Sequence, residues 1–542
     1  MKADLSRVTF NPLKHFTRVL MQQGRVQLDA DWNEQAGILL HYLQALAADL
    51  IGPHGGPIHN CGFEITQLGS STKELDFRIG LGHYYVDGLL CEAESTPIGI
   101  FVTTAAAAGK ADVQVDTWSL DGVELRGDQF VELFDDAPGS PFKPIVVQIT
   151  NPDKANRKLT LQGALNPLKD AKDPKLRRVI TYLHQPDYLA PEPLDAHTYQ
   201  AYLDVWERQV SYVEDDSIRE VALGGPDTAG RAKLVWQVKV TEPFGAACAT
   251  VDQLNERFQP ANRGRLKAMA KESNVSTDPC TIPPDAQYRG SENQLYRVEI
   301  HTGSKGRDGN AATPTFKFSR ENGAVVLALA GPITSSGGTT TAVLETLGRD
   351  DRFGLAEGDW VEVQDDRSAL SNLAGNLLQV QSIDRSAMTV TLSGAPGIEV
   401  GNDPALHPLL RRWDQKEGDP AEGGLQLGSD GAALVVEDSD GLWLTLADGV
   451  QIQFQKSDPD GPAETYRAGD YWLIPARTAT GDVEWPREKD AQGKPAPIAL
   501  PPQGVEHHYA PLAVITVEAN GKISVKSPCL NTFKPLVELT HP

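Results

Sequence analysis

The sequence predicts a mainly β protein with a short N-terminal α-helical element, arranged as small β-barrel or sandwich modules joined by hairpins. Three observations carry that prediction. Gly (49) and Pro (37) together make up about one residue in six of the 542, and a chain punctuated so often consists of short strands and turns. Apolar residues alternate with polar ones over many short runs, which is the period of a half-buried strand. Only one long stretch carries helical spacing instead. At roughly 150 residues per domain the length implies three or four units. The apolar share of 40% belongs to a globular chain and not to a disordered one.

The helical stretch begins at Asp31. Asp31 and Glu34 form a D-x-x-E capping box, in which the first carboxylate accepts a backbone N–H and the second reaches back. Trp32, Ala36, Leu39, Leu43, Leu46 and Leu50 then recur at intervals of 4, 3, 4, 3 and 4, an a/d seam of nearly three heptads. Gly52-Pro53 ends the helix at residue 51, Gly by a left-handed cap and Pro by refusing continuation. Two packings suit this seam. It lies against a sheet of its own domain, or it joins other copies in a trimeric or other homotypic bundle, because three heptads are marginal alone. In the second case Trp32, Leu39, Leu43 and Leu46 form the assembly interface. Upstream, Val26 and Leu28 alternate with Arg25 and Gln27 and predict a strand. Downstream, Leu75, Phe77 and Ile79 alternate before a turn at Asp87-Gly88, a strong hairpin signal.

The chain divides near 100, 175, 330 and 405. Residues 1–100 form an N-terminal assembly and anchoring region, the helix 31–51 plus β-hairpins. Residues 101–175 read as an inserted β unit, with Ile145, Val147 and Ile149, then Leu159 and Leu161, alternating between Pro- and Asp-rich turns. In a central β domain, 176–330, Tyr202, Trp206, Val210 and Tyr212 share one strand face, and Leu234, Trp236, Val238 and Val240 share another. Val251–Ala270 holds at most a short helix, since Pro260 interrupts it. Residues 331–405 read as a small β-barrel-like module, and 406–542 as a C-terminal β domain with a hairpin turning at Asp448-Gly449. A Gly-Asp pair opens a strand at Gly127-Asp128, Gly358-Asp359 and Gly469-Asp470. The Gly permits a tight turn and the Asp closes it with a side-chain hydrogen bond.

Two stretches of the first hundred residues, QGRVQLDADWNEQ (Gln23–Gln35) and IGLGHYYVDGLLCEAE (Ile79–Glu94), resemble the N-terminal regions of phage-tail and phage-tail-like particle proteins. More closely, the chain resembles an uncharacterised bacterial family found with contractile injection systems. That likeness rests on YLDVWERQVSYVEDDSIREVALGGPDT (Tyr202–Thr228), ENQLYRVEIH (Glu292–His301), FKFSRENGAVV (Phe316–Val326) and YRAGDYWLIPARTATGDVEWP (Tyr466–Pro486). The resemblance implies a structural component at the baseplate, or in a fibre or spike attached there. Its partners would be other baseplate, spike or sheath proteins and further copies of itself. The missing secretory h-region and the few, irregular cysteines predict synthesis in a reducing cytoplasm, and the resemblance implies a particle that is released or held in the cell. No catalytic residue comes with the resemblance.

Chemistry is sparse. The sequence holds no G-x-S-x-G, no G-x-x-x-x-G-K-[ST], no H-E-x-x-H and no CxxC. His54 and His59 flank a Gly-Pro turn, and His507 and His508, being adjacent in a strand, point to opposite faces. Asp350-Asp351, Asp365-Asp366 and Ser457–Gly461 lack the spacing of a calcium loop and read as turn caps. Asp204/Glu207 and Glu214/Asp215/Asp216 are close carboxylates of the kind a glycosidase needs, but among 73 acidic residues such pairs arise by chance. Neither an enzyme nor a metal or cofactor is expected. The net charge of −23 excludes a broad nucleic-acid surface. No run approaches eighteen apolar residues, and residues 1–20 lack a secretory h-region. The five cysteines are too irregular for a disulfide framework, which leaves Cys248 and Cys280 as a conceivable pair and buried free thiols as the expectation. A second functional class stays open, a carbohydrate-binding or glycan-degrading tail protein with Trp206, Tyr212 and Trp236 as a platform for a cell-surface glycan. A third is a cargo or effector of the particle.

Overall fold

Alternating runs become strands where a second strand lies in hydrogen-bonding reach, and this happens along most of the chain. The computed structural model is mainly β, with 41% strand and 11% helix. It describes residues 1–68, 75–107, 110–120, 123–162, 171–259, 263–271, 287–306, 309–350, 352–437, 441–456, 458, 461 and 464–538. The helices are α1 (Asp29–Ile51), α2 (Val251–Phe258) and α3 (Asp366–Leu370). Two compact units account for the chain, each drawn from three separate segments.

The first unit takes Met1–His41, Glu207–Lys233 and Pro260–Glu506. Its five-stranded sheet runs in the order Ala433–Leu434, Thr315–Ser319, Gln294–Thr302, Tyr471–Arg477 and Asp482–Val483. Val298 sits between Phe318 on one side and Trp472 on the other. Tyr296, Val298, Ile300, Phe316 and Phe318 form a common core with Leu266, Ile452 and Phe454 of a three-stranded sheet. A seven-stranded sheet runs Val326–Ala328, Leu409–Trp413, Trp360–Gln364, Leu377–Asp384, Thr389–Ser393, Thr339–Val343 and Thr334–Ser336. Its own core includes Leu327, Val361, Val380, Leu392 and Leu410. At Gly358-Asp359 the predicted turn forms: Gly358 has φ +93°, and Asp359 Oδ2 accepts the Ala356 N–H at 2.9 Å.

The second unit takes Tyr42–Trp206, Leu234–Gln259 and His507–Pro542. Six strands between Ile98 and Arg178 close into a barrel, filled by Val113, Leu133, Ile149, Leu159, Leu161 and Leu176. Closure leaves no free edge among those six strands. A four-stranded sheet places Thr198–Val210 beside His507–Val517, with Ala201 opposite Ala513. A second four-stranded sheet contains the hairpin Gly82–Val86 and Leu89–Ala93, turning through Asp87 (φ +50°) and Gly88 (φ +77°) as the Asp-Gly signal predicts. Cys248 and Cys529 form a disulfide with Cα atoms 5.7 Å apart. This corrects the expectation of free thiols at those two positions. A sequence separation of 281 residues hides such a pairing from any spacing rule, and Cys280 lies outside the described residues.

Several sequence boundaries move. The closed barrel lies at 98–178, while the module expected to be barrel-like at 331–405 belongs to the linear seven-stranded sheet. Leu409–Trp413, assigned by sequence to a C-terminal domain, pairs with Val326–Ala328 and Trp360–Gln364. Tyr471–Arg477 pairs with Gln294–Thr302. Local alternation identifies a strand but says nothing of its partner, and the partners are remote in sequence. The strand expected over Met21–Leu28 does not form: its alternating residues find no neighbouring strand, and Val26 stands in solvent.

Candidate functional site

Helix α1 starts two residues earlier than its capping motif suggested. The Asp31 carboxylate accepts the Leu28 N–H at 3.1 Å, so Asp31 occupies the third helical position and Leu28 the cap. Glu34 does not reach back; it accepts the Thr9 hydroxyl at 2.6 Å. The C-terminal stop is as predicted, with Gly52 at φ +93° donating its N–H to Ala48 O at 2.8 Å.

The two sides of α1 differ sharply. One side carries Ala30 and Ile38, both buried, together with Gly37, which faces Phe10, and Gln44, whose backbone oxygen abuts Gly88. At about 100° per residue, Trp32, Leu39, Leu43, Leu46 and Leu50 fall within roughly 60° of arc on the opposite side. These five side chains are between 55% and 68% exposed. The packing against a sheet of the same domain, one of the two expected arrangements, therefore does not occur for this seam. Isolated exposed leucines are ordinary, but a continuous stripe of them is not.

The segment before α1 also carries exposed apolar residues. It runs without a strand from Val8 to Leu28 and is tied along the helix by hydrogen bonds from Ser6 N–H to Asp29, Thr9 to Glu34 and Val19 N–H to Gln35. Leu13, Phe16, Leu20, Met21 and Val26 are all exposed. Phe10 turns inward, its ring 5.8 Å from His41 and against Gly37.

The glycan platform is not formed. Trp206 is 6% exposed and stacks on His507 at 4.9 Å; Trp236 is 7% exposed, meets Phe63 edge-on at 4.9 Å and donates Nε1–H to Glu92 O. Tyr212 is half-buried beneath the Arg219 guanidinium, 4.4 Å from its ring. Period-two aromatics in a strand are as consistent with a core as with a platform, and here the core takes them. The carboxylate pairs are likewise engaged. Burial would raise the Asp204 carboxyl, but Lys239 at 2.7 Å and His507 at 2.6 Å outweigh it and hold it below the usual range. Glu214 pairs with Arg208, and Asp215 caps the turn at Ser217. Asp365 caps α3, Asp350 accepts N–H groups of Arg352 and Phe353, and Ser457–Gly461 lies largely outside the described residues. His54 bonds Tyr84 and His59 pairs with Glu538, while His507 and His508 go to different partners, Asp204 and Asp87.

Sequence reasoning missed one cluster. In the first unit, Lys2, Arg297, Lys317 and Arg411 surround Glu299 and Glu362. Lys317 lies 2.6 Å from Glu362, Lys2 lies 2.8 Å from Glu299, and Arg297 lies 2.5 Å from Glu299. The Trp413 indole donates to Glu362 at 3.0 Å and lies 4.6 Å from the Lys317 ammonium. Burial would raise both carboxyls, yet the surrounding cations hold Glu299 and Glu362 below the usual range. Burial brings Lys2 down to about 8 against the pull of Glu299. His301, on the same face, is buried, and neither ring nitrogen has a hydrogen-bond partner among the described residues. Burial and the Lys317 charge push it well below the ordinary histidine value. The signal in the sequence is Arg297-Val-Glu299-Ile-His301, charges alternating with apolar residues, which reads as a strand with one wet face. Only the second sheet reveals that the face is dry. Four cations on two buried carboxylates suit an ion-paired joint between sheets better than a reacting centre.

No curated protein matches the chain. A family match covers residues 1–116, 193–261 and 244–540, and the stretch it skips, 117–192, holds four of the six barrel strands. With most of its length matched, including α1 and every strand of the five- and seven-stranded sheets, the chain belongs to DUF6519, a family of unknown function.

Proposed function

We propose that this protein is a structural subunit of a phage-tail-like contractile injection particle, held at the baseplate, or in a fibre or spike attached there, by α1 and the segment preceding it. The observation that carries the assembly role is the exposed stripe Trp32, Leu39, Leu43, Leu46 and Leu50, set opposite the side of α1 that packs on its own chain. The placement on such a particle comes from the sequence resemblance. Burying a leucine is worth roughly 1.5–3 kcal/mol, whereas association costs roughly 4–15 kcal/mol. Five seam residues contributed by each copy are enough to meet that cost. A homotrimer suits the heptad spacing and the three-fold symmetry of fibres and spikes. The protein acts by assembly and not by catalysis, and reaches the particle from the cytoplasm.

Sedimentation equilibrium on the full chain tests this directly. The wild type should run as an oligomer, and Leu43→Asp should run at 58.7 kDa with unchanged circular dichroism. A wild type that is monomeric at tens of micromolar, or a Leu43→Asp variant that keeps the wild-type mass, would refute the assembly role. Particles imaged from cells lacking the gene should miss a peripheral density; complete particles would instead favour a carried effector.

A further inference from the structure

On the outer face of the hairpin Gly82–Val86/Leu89–Ala93, two carboxylates converge on one imidazole. His83 and Glu92 are register partners across the ladder, and Glu94 follows two residues on, so the three side chains leave the same face. The opposite face of the hairpin holds Tyr84, Cys91 and Ala93, all fully buried, which fixes the backbone beneath the trio. His83 Nε2 lies 3.1 Å from Glu94 Oε1 and 3.8 Å from Glu92 Oε1, and the three ligand atoms are within 4.8 Å of one another. A single imidazole nitrogen carries at most one proton, so it can satisfy only one of the two carboxylates, and the other faces a like charge across a few ångströms.

We propose that His83 Nε2, Glu92 and Glu94 bind one divalent cation of the zinc class, leaving a remaining position to water. With metal–ligand bonds of about 2.0–2.1 Å, neighbouring ligand atoms of a tetrahedron stand about 3.3 Å apart. The observed 3.1 and 3.8 Å from the imidazole to the two carboxylates bracket that value, and the carboxylate oxygens, within 4.8 Å of each other, close on the ion by side-chain rotation. The imidazole donor selects against Ca²⁺ and Mg²⁺, which take all-oxygen sets. The cation also removes the repulsion between the two carboxylates, so metal uptake rigidifies this hairpin. This inference is independent of the assembly role of α1.

Zinc chloride titrated calorimetrically into the full chain tests it, in a Cys61→Ser background so that the nearby thiol does not contribute. One zinc per chain should bind in the micromolar range. His83→Ala and Glu94→Gln should each weaken binding by more than about tenfold, while His59→Ala, which removes another surface histidine–glutamate pair, should leave it unchanged. Circular dichroism confirms that each variant is folded. Absence of zinc uptake below millimolar concentrations, or equal affinity in His83→Ala and the parent, would overturn the site.

Discussion

Lys317 Nζ lies 2.6 Å from Glu362 Oε2, and neither side chain is more than 3% exposed. The two residues belong to different sheets of the first unit, so this ion pair is a joint between them. Desolvating two charges is expensive, and the pair persists because Glu299 at 3.6 Å and the Trp413 indole satisfy what remains. Removing one partner should therefore cost more than removing both. Glu362→Gln or Lys317→Met should lose about 3–5 kcal/mol, and Lys317→Met/Glu362→Leu considerably less, measured as shifts in urea midpoint followed by circular dichroism. Additive losses in the double variant would show that the two side chains act separately.

His301 makes acid stability readable. Its buried ring has a pKa below the ordinary 6.5, with Lys317, Glu362, Asp430 and Glu299 around it. Between the two values the unfolded chain binds a proton that the folded chain refuses. Stability is then complete above pH 6.5 and falls as the pH drops through that window, at up to ~1.4 kcal/mol per unit. Glu299 and Glu362, held low, add a further loss below about pH 4.5. Denaturant titrations from pH 7 to 5 should show a shallower slope for His301→Asn than for wild type. Parallel slopes would mean that His301 titrates normally.

Gly88 is needed twice over. Its φ of +77° disfavours a side chain, and a Cβ there would stand 2.2 Å from the Gln44 carbonyl oxygen, which helix hydrogen bonding holds in place. Gly493 has a similar φ of +80° but open space around it. Gly88→Ala should cost about 2–4 kcal/mol and Gly493→Ala about 1 kcal/mol, with raised amide exchange at Gln44–Ala48 in the former alone. Equal costs would show that the hairpin turn can shift off the helix freely.

The Cys248–Cys529 bridge joins segments far apart in the second unit. In non-reduced, denatured protein, peptides containing these two residues should resist alkylation until reductant is added. Cys529→Ser should lower stability by about 2–5 kcal/mol. Immediate labelling of Cys248 would contradict the bridge.

Much of the strand and turn structure was legible because its causes are local. Asp448-Gly449 and Asp87-Gly88 turn through two successive left-handed residues, and Gly358-Asp359 through a left-handed glycine and a capping carboxylate. Gly52 stops α1 for the same reason. The spacing of Trp32 through Leu50 likewise placed those residues on one face of a helix. What was not legible depends on partners: which strand lies beside Leu409–Trp413, whether Trp206 and Trp236 face solvent, and how Cys248 meets Cys529. The alternation Arg297-Val-Glu299 is the clearest case. It looks the same whether the polar side meets water or another sheet, because burial is a property of the neighbour. His83 with Glu92 and Glu94 was missed for a related reason, since cross-strand register unites residues nine and eleven apart.

The interleaved composition of the two units bears on how the chain is made. A ribosome releases it in order, yet Gln294–Thr302 must wait for Tyr471–Arg477, and Thr198–Val210 must wait for His507–Val517. Each of these waiting strands has an earlier neighbour, Thr315–Ser319 and Arg231–Thr241 respectively, but both sheets are completed late, and pairings of such sequence separation close slowly. The Ile98–Arg178 barrel has no such delay, because all six of its strands emerge together. It can be complete while the polypeptide on either side is still unpaired, giving vectorial synthesis an early folded island.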